Sequence, residues 1–383
     1  ALNALIAHCQ SVEAPGYTPS DFPLANLDQP TLDRLLMTRP DLEDIHPLSP
    51  MQQLFYAIDA SNPAVGFEQW HFTLHGELDI AAFKRAWERV VNRHAILRSA
   101  FIAEGLGEPH QITVRQVPLP WIQQDWRDLA RAEQESRLEA FLQADKETGF
   151  DLMQAPLTRV ALIQVSDTDF QLIWSTHHLQ IDGWSWPLVF KDLSSFYTAF
   201  RQGQEIELEP SPAYRDYVAW LQNQDLVEAE TFWRQTLKGL KAPTPLPGSP
   251  RPGATLNRPV TFGELEIRLS PAVVTDLQAL ARQHQITLGP LLQGAWAILL
   301  GAYSGLDEVV FGATFSGRPA ELAGVESIVG PFVNNLPVRV RLDPEASLAS
   351  WLKQLQARQL DLSRFQHTPL TKIQTWSEVP LRS

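Results

Sequence analysis

The sequence holds a single cysteine, Cys9, among 383 residues. One thiol closes no intrachain disulfide and builds no thiolate zinc cluster. Positive charge is also short. There are 31 Lys and Arg against 44 Asp and Glu, a formal net charge of −13. Nucleic-acid binders carry a basic footprint, and the chain as a whole lacks one. No apolar run reaches the length of a membrane span. No basic segment followed by an apolar stretch opens the chain, so no signal peptide is expected and a cytoplasmic location is the default. There is no glycine-rich loop followed by Lys-Ser/Thr, no G-x-G-x-x-G, no H-E-x-x-H and no G-x-S-x-G elbow. Phosphate-loop, dinucleotide, zinc-protease and serine-hydrolase chemistry therefore find little support.

What is present is globular. Apolar residues make up 44% and charged residues 20%, which suits a packed chain rather than a disordered one. At this length one large or two mid-sized domains are expected. Twelve Trp and 29 Pro point to a loop-rich, well-packed fold.

Residues 1–43 look separate, because the stretch from Pro15 to Pro23 is dense in turn formers. Thr31 is expected to cap a short helix over Leu32, Leu35 and Leu36. Alternation predicts a strand from Trp70 to Leu74. Asp79 is expected to cap a helix whose apolar stripe is Phe83, Trp87, Val90 and Val91. Strands are expected at 158–165 and 169–179, and a helix at 187–201. Six prolines between Lys241 and Thr261 mark a long connection, with the lobe boundary shortly before it. Beyond it the pattern predicts strand 264–269, helix 271–284 with Ser270 as cap and Pro271 first, helix 288–303, strands 308–314 and 336–342, and helix 348–364. Mixed order in two comparable halves suggests two α/β lobes.

The densest chemistry is His177-His178-Leu179-Gln180-Ile181-Asp182-Gly183, directly after an alternating run. Neighbours on a strand point to opposite faces, so one imidazole is expected in a cleft and the other in the protein. Asp182-Gly183 reads as the turn leaving the strand, with Gly183 free to adopt a backbone that other residues avoid. Adjacent strand histidines make a poor metal pair. A histidine with no evident protein nucleophile fits a base acting on a nucleophile brought by the substrate. The ordinary reading of either histidine alone is a packed core residue.

The fixed His-His-x-x-x-Asp-Gly arrangement, followed by Trp184-Ser185, shifts that balance. The chain resembles the condensation domains of nonribosomal peptide synthetases over residues 44–383. The resemblance rests on several segments in order. Pro47-Leu48-Ser49-Pro50-Met51-Gln52 opens it, and the run from Arg93 to Phe101 follows. Tyr214-Arg215-Asp216-Tyr217, Ser316-Gly317-Arg318-Pro319, the run from Val329 to Arg339, and His367-Thr368-Pro369-Leu370 complete it. Asn335 stands where the family usually has Thr.

The resemblance implies a fold and an activity. The fold is two chloramphenicol-acetyltransferase-like α/β lobes in a V around a tunnel, with lobes at 44–220 and 221–383. The activity is amide formation between two thioesters carried on phosphopantetheine arms. No cofactor is bound by the domain, because pantetheine arrives covalently attached to carrier proteins. The implied partners are an upstream donor and a downstream acceptor carrier protein, with epimerization and adenylation domains adjacent in a multimodular synthetase. No nucleic acid or membrane is implied. His178 becomes the catalytic histidine, either accepting a proton from the attacking amine or positioning it, and His177 a structural one. Asp182 is expected to pair with Arg318, whose plainer reading is an exposed loop arginine. Gly183 is expected where a side chain would crowd the tunnel. Trp184, Ser185 and Asn334 join the substrate-binding candidates, although Asn334 also suits a structural role. Trp184, Trp186 and Trp296 also read as core.

Three further features bear on the resemblance. Residues 1–43 resemble the tail of an epimerization domain or a linker. Together with Ser49–Gln53 and Ala242–Leu246, that head suggests a D-configured donor and an L-configured acceptor. The segment after Gln53 is shorter than the family's, and two residues lost from a helix would turn its apolar face by about 200°. The chain stops at Ser383, where family members continue, so an incomplete second lobe is expected. Competing readings are a coenzyme A-dependent acyltransferase and a catalytically silent carrier-docking module.

Overall fold

The structure, a computed structural model, describes residues 16–60, 62, 65–246 and 266–380. The head up to residue 15, with Cys9, and the prolines Pro247, Pro250, Pro252 and Pro259 lie outside the described residues. The chain divides into two compact units. One reaches to Gln224 and takes in Arg318–Phe332; the other comprises Asp225–Gly317 and the chain from Val333. The first unit therefore claims a strap cut from the middle of the second.

The first unit begins with helix α1 (Gln29–Thr38). Its cap is Asp28, whose carboxylate accepts from Thr31 N at 2.9 Å. Thr31, expected as the cap, sits inside the first turn instead, because the residue three positions earlier already satisfies its amide. Strands β1 (Leu42–Pro47), β3 (Ser99–Ile102) and β4 (His110–Val114) form an antiparallel sheet in the order β1-β4-β3. The second sheet has the order β2-β7-β6-β5. Its strands are β2 (Phe67–His75), β5 (Trp121–Asp125), β6 (Thr158–Gln164) and β7 (Asp169–His177). Only β5 and β6 within it run parallel.

This second sheet is a middle layer. Phe170, Leu172 and Trp174 on β7, with Val160 and Leu162 on β6, face one core. Helices α3 (Ile80–Arg93) and α5 (Ser185–Arg201) cover that face, α3 through Phe83, Trp87, Val90 and Val91. Asp79 caps α3 by accepting from Ala82 N at 3.0 Å. The alternate residues Ile173, Ala161 and Ile163 face a second core closed by Leu138, Phe141 and Leu142 of α4 (Arg131–Thr148). The period of two thus puts apolar side chains on both faces of β7. Trp87 and Trp174 are 1% and 0% exposed, and each large apolar side chain so buried contributes about 1.5–3 kcal/mol.

Helix α2 (Pro50–Asp59) starts on a capping box, with Ser49 and Gln52 each accepting from the other's backbone. The Gln52 amide also donates to Gln111 Oε1 and Leu179 O. No apolar side chain of α2 beyond Met51 is fully buried. Helix α6 (Tyr214–Gln222) completes the regular elements of the unit.

The second unit holds helices α7 (Leu226–Thr236), α8 (Pro271–His284), α9 (Leu288–Ser304), α10 (Leu348–Ser363) and α11 (Leu370–Trp376). Its strands β8 (Glu308–Phe315) and β9 (Asn334–Arg341) pair antiparallel. Ser270 caps α8, with Pro271 at its first position. The strand expected at 264–269 does not form over its described part, 266–269. Ile267 and Leu269 stand exposed there, and alternation alone supplies no neighbouring strand to pair with. Trp233, Leu336, Val338, Val340, Leu352 and Leu355 make the core. Trp296, expected in that core, lies outward at 45% exposure. Among the described residues no single helix is long and apolar enough to cross a membrane.

Candidate functional site

The paired histidines sit where β7 ends against the start of β2. In that register Phe67 lies opposite His177 and Glu68 opposite Thr176. β7 stops at His177, and His178 N then donates to Gly66 O at 2.8 Å. The second imidazole therefore leaves the sheet while its backbone is still tied to it.

His177 is 1% exposed. Its Nδ1 accepts from Leu179 N at 3.1 Å, and its Nε2 lies 3.2 Å from Asp59 Oδ1 at the end of α2. The backbone donor leaves Nε2 as the protonated nitrogen, donating to Asp59. Burial holds the pKa of His177 below the ordinary histidine value, against the pull of Asp59. A Cβ on Gly66 would lie 2.3 Å from this ring, so only glycine lets β2 begin here.

His178 is the more accessible of the two, its side chain 26% exposed. Nε2 lies 2.7 Å from Glu68 Oε1, and Nδ1 lies 3.3 Å from Ile181 O. Phe55 of α2 stacks on the ring, with centroids 4.7 Å apart and planes 13° from parallel. Burial pulls the pKa of His178 down. The hydrogen bond and charge of Glu68, then Ile181 O and Asp182, outweigh it, so the net shift is upward. Glu68 Oε2 is buried and has no hydrogen-bond partner among the described residues.

Asp182 is fully buried and turned into the protein. Its Oδ1 accepts from Ser185 N and Ser185 Oγ, both at 3.0 Å, and its Oδ2 from Phe332 N at 2.9 Å. Arg318 Nη2 lies 3.6 Å from Oδ1, an ion pair longer than a hydrogen bond. Arg318 Nη1 donates to Val325 O at 2.5 Å and Ile328 O at 2.9 Å, and the guanidinium lies 4.0 Å from the centroid of the Phe332 ring. Burial lowers the pKa of Arg318, and Asp182 pulls it back. Gly330 N donates to Ser185 Oγ at 3.0 Å. A Cβ on Gly330 would lie 2.1 Å from the Tyr214 ring, whose hydroxyl donates to Pro331 O at 2.9 Å. The turn after β7, the start of α5 and the strap 318–332 are thus tied at one carboxylate.

The remaining candidates divide. Ser185 is fully buried and its hydroxyl is committed to that knot. Trp184, read also as core, is 54% exposed, with the Arg318 guanidinium 5.8 Å from its ring centroid. Trp186 is partly buried against the main core of the first unit. Gly183 is exposed, its φ lies outside the left-handed region, and a Cβ there would meet no atom within 4 Å. The special backbone expected of Gly183 is therefore absent, because Asp182 and Ser185 already close the turn. Asn334 belongs to the second unit, where its amide donates to Gln366 O and Thr368 O, both at 2.8 Å. Sequence reasoning passes over Glu68, Phe55 and Asp59. Glu68 has one readable signal: it shares its side of β2 with Trp70, Phe72 and Leu74, and a carboxylate on an apolar stripe needs a partner.

Comparison with known proteins places this geometry. The family model for the Condensation domain matches residues 42–382. A linear gramicidin synthase protein of Brevibacillus parabrevis is 45% identical over 381 residues, which is 99% of this chain and 5% of that protein. Bacitracin synthase 1 of Bacillus licheniformis is 35% identical over 383 residues, 99% of this chain and 7% of the synthase. The chain thus spans less than a tenth of each of these two relatives. A solved complex of the X-domain and OxyB from teicoplanin biosynthesis matches with a TM-score of 0.71 at 27% identity, covering 87% of this chain and 73% of that one. The first condensation domain of the calcium-dependent antibiotic synthetase, with a substrate analogue, matches with a TM-score of 0.70 at 20% identity. There 86% of this chain and 77% of the other are covered, a likeness of fold.

Proposed function

This chain belongs to the condensation-domain family, whose members catalyse peptide-bond formation by acyl transfer, and we propose that it joins two carrier-bound thioesters. The α-amine of the acceptor aminoacyl thioester attacks the carbonyl carbon of the donor peptidyl thioester. A tetrahedral oxyanion forms, the amine nitrogen loses a proton, and the donor pantetheine leaves as thiol. Pantetheine is part of both substrates, covalently held by the donor and acceptor carrier proteins. The domain's main contribution is to align two tethered reactants, which supplies a large share of such accelerations. In this reading the lobes divide near residue 220, the protein is cytoplasmic, and epimerization and adenylation domains adjoin it.

One observation carries the reading. Of the two adjacent histidines, His177 is buried and tied to Asp59, while His178 keeps a quarter of its side chain exposed. With Asp182 committed to the strap, His178 is the member of the motif left for substrate. The same commitment makes Asp182 and Arg318 supports of the site rather than groups in the reaction. A free coenzyme A thioester as donor is the runner-up, and dependence on loaded carrier proteins separates the two.

The finer reading concerns stereochemistry. The head at residues 1–43 and the sequences Ser49–Gln53 and Ala242–Leu246 support a D-configured donor with an L-configured acceptor. Single-turnover peptide formation tests it, with donor carriers loaded separately with D- and L-terminated peptides. Exchanging hydrogen and side chain at the donor α-carbon displaces the thioester carbon, and a misplacement of about 1 Å costs around a hundredfold in rate. The D donor is expected to react faster by about that factor. Equal or faster reaction of the L donor defeats the subtype and leaves condensation standing.

A further inference from the structure

Resting on the condensation reading, we propose that Glu68 is a positioning residue for the reaction, fixing the plane of the His178 ring and keeping a proton on Nε2. The geometry leaves the ring few protonation states. Nδ1 faces the carbonyl oxygen of Ile181, which only accepts, so Nδ1 carries a hydrogen. Nε2 faces a carboxylate oxygen at 2.7 Å, and an ionised carboxylate also only accepts. Both nitrogens then carry hydrogens, and the ring is an imidazolium. Neither lone pair is free to take a proton from an incoming amine in this state. His178 meets the substrate with charge and shape rather than as a free base.

The other groups around the ring do not share this duty. Phe55 from α2 stacks on its face and fixes no proton. His177, beside it in the chain, is bonded to Asp59 and Leu179 N. Asp182 acts on the ring through charge, and its oxygens are held by Ser185 and Phe332 N. Glu68 is the carboxylate in contact with the ring, and its second oxygen is buried with no hydrogen-bond partner among the described residues. A carboxylate placed only for folding gains nothing from an unpaired buried oxygen. Its burial sharpens the field felt at Nε2 because little water screens it.

The test uses the whole chain as wild type, Glu68→Gln and Glu68→Asp. Two measurements are made: single-turnover peptide formation with loaded carrier proteins across pH, and NMR titration of the His178 ring. Glu68→Gln keeps size and a polar contact but loses the charge. Its rate is expected to fall about tenfold to a hundredfold, with the KM for the acceptor carrier unchanged and with the unfolding midpoint little moved above the pH range in which His178 titrates. The limb of the pH–rate profile set by His178 and the ring's own titration should both move to lower pH. Glu68→Asp should recover part of both effects. A wild-type rate in Glu68→Gln overturns the proposal, and so does a slower rate with the His178 titration unmoved. A wild-type chain that forms no peptide, but whose His178 titration still moves in Glu68→Gln, defeats the condensation reading and leaves the Glu68–His178 pair standing.

Discussion

Ionisable side chains are buried throughout the first unit, whereas the described interior of the second holds only His367. Asp44, His46, His94, Arg98, His110, Asp145, His177, Asp182 and Arg318 are all buried in the first unit. The contrast is not one of overall composition, since both units build a core of Trp, Leu and Val around strands and helices. It lies in what the elements do at their ends. In the first unit, β7, α5 and the strap 318–332 end or begin around one carboxylate, and each end brings donors or acceptors that need partners. Arg159 and Asp145 repeat the pattern between β6 and α4, with Ser175 and Gln69 donating to the same carboxylate. Buried charge is tolerated where counter-charge and hydrogen bonds arrive together. Such places also hold a side chain in a fixed orientation, which chemistry requires.

The contrast is broken most severely at Asp182. Asp182→Ala removes the acceptor for Ser185 N, Ser185 Oγ and Phe332 N, and leaves the buried Arg318 without its counter-charge. Losing one partner of a buried pair costs about 3–5 kcal/mol. Denaturant unfolding should report a loss of that size together with lost turnover. Wild-type stability with turnover alone abolished would move Asp182 from the frame into the chemistry.

His178→Ala sharpens the contrast by separating frame from reaction. With the ring held as an imidazolium, turnover should fall by less than the 10²–10⁴-fold, about 3–5 kcal/mol of barrier, that a general base contributes, and a loss of that full size would make the ring a base. The unfolding midpoint should move far less than in Asp182→Ala, because the ring is partly exposed. Single-turnover rates and melting curves on the same preparations decide it. Were His177→Ala to abolish turnover without destabilising the protein while His178→Ala did little, the roles of the two faces would be reversed.

The buried histidines of the first unit also predict how stability follows pH. Burial holds the pKa of His46 down at about 4, against 6.5 in the unfolded chain. Between those values the unfolded state binds a proton that the folded state refuses. Stability from this residue is therefore complete above pH 6.5 and is lost as pH falls toward 4, by about 3 kcal/mol in all. Urea titrations of wild type and His46→Gln across that window should diverge accordingly. Parallel slopes would show that His46 titrates alike in both states.

Much of this architecture is legible in the sequence, and the portions that are not have physical reasons. The strand carrying His177, the helix capped by Asp79 and the helix begun by Ser270 and Pro271 follow from period and caps, which act over a few residues, although the strand ends before His178 rather than at 179. The capture of 318–332 by the first unit depends on contacts with Asp182 and Ser185, more than a hundred positions away, which local pattern cannot encode. Glu68 escapes notice for the same reason, since its meaning comes from His178, 110 residues away and just past the end of β7. Gly183 misleads in the other direction: its place in a motif suggests a backbone requirement, and its φ shows none.

The smallest expected effect tests the other side of the contrast. Trp87 and Trp174 of the first unit and Trp233 of the second are fully buried, whereas Trp184 of the first unit is exposed and so is Trp296 of the second. Trp296 lies on α9 among Leu292, Ile298, Leu299 and Tyr303, each at least 44% exposed. Where water already reaches a side chain, its removal returns little transfer free energy and opens no cavity. Trp296→Gln should therefore lower the unfolding free energy by only about 1 kcal/mol, because roughly half of the ring is already in water. A single denaturant titration at fixed pH measures it. A loss several times larger would mean that this face of α9 is covered in solution, and the second unit would then have to be counted as the more deeply packed of the two.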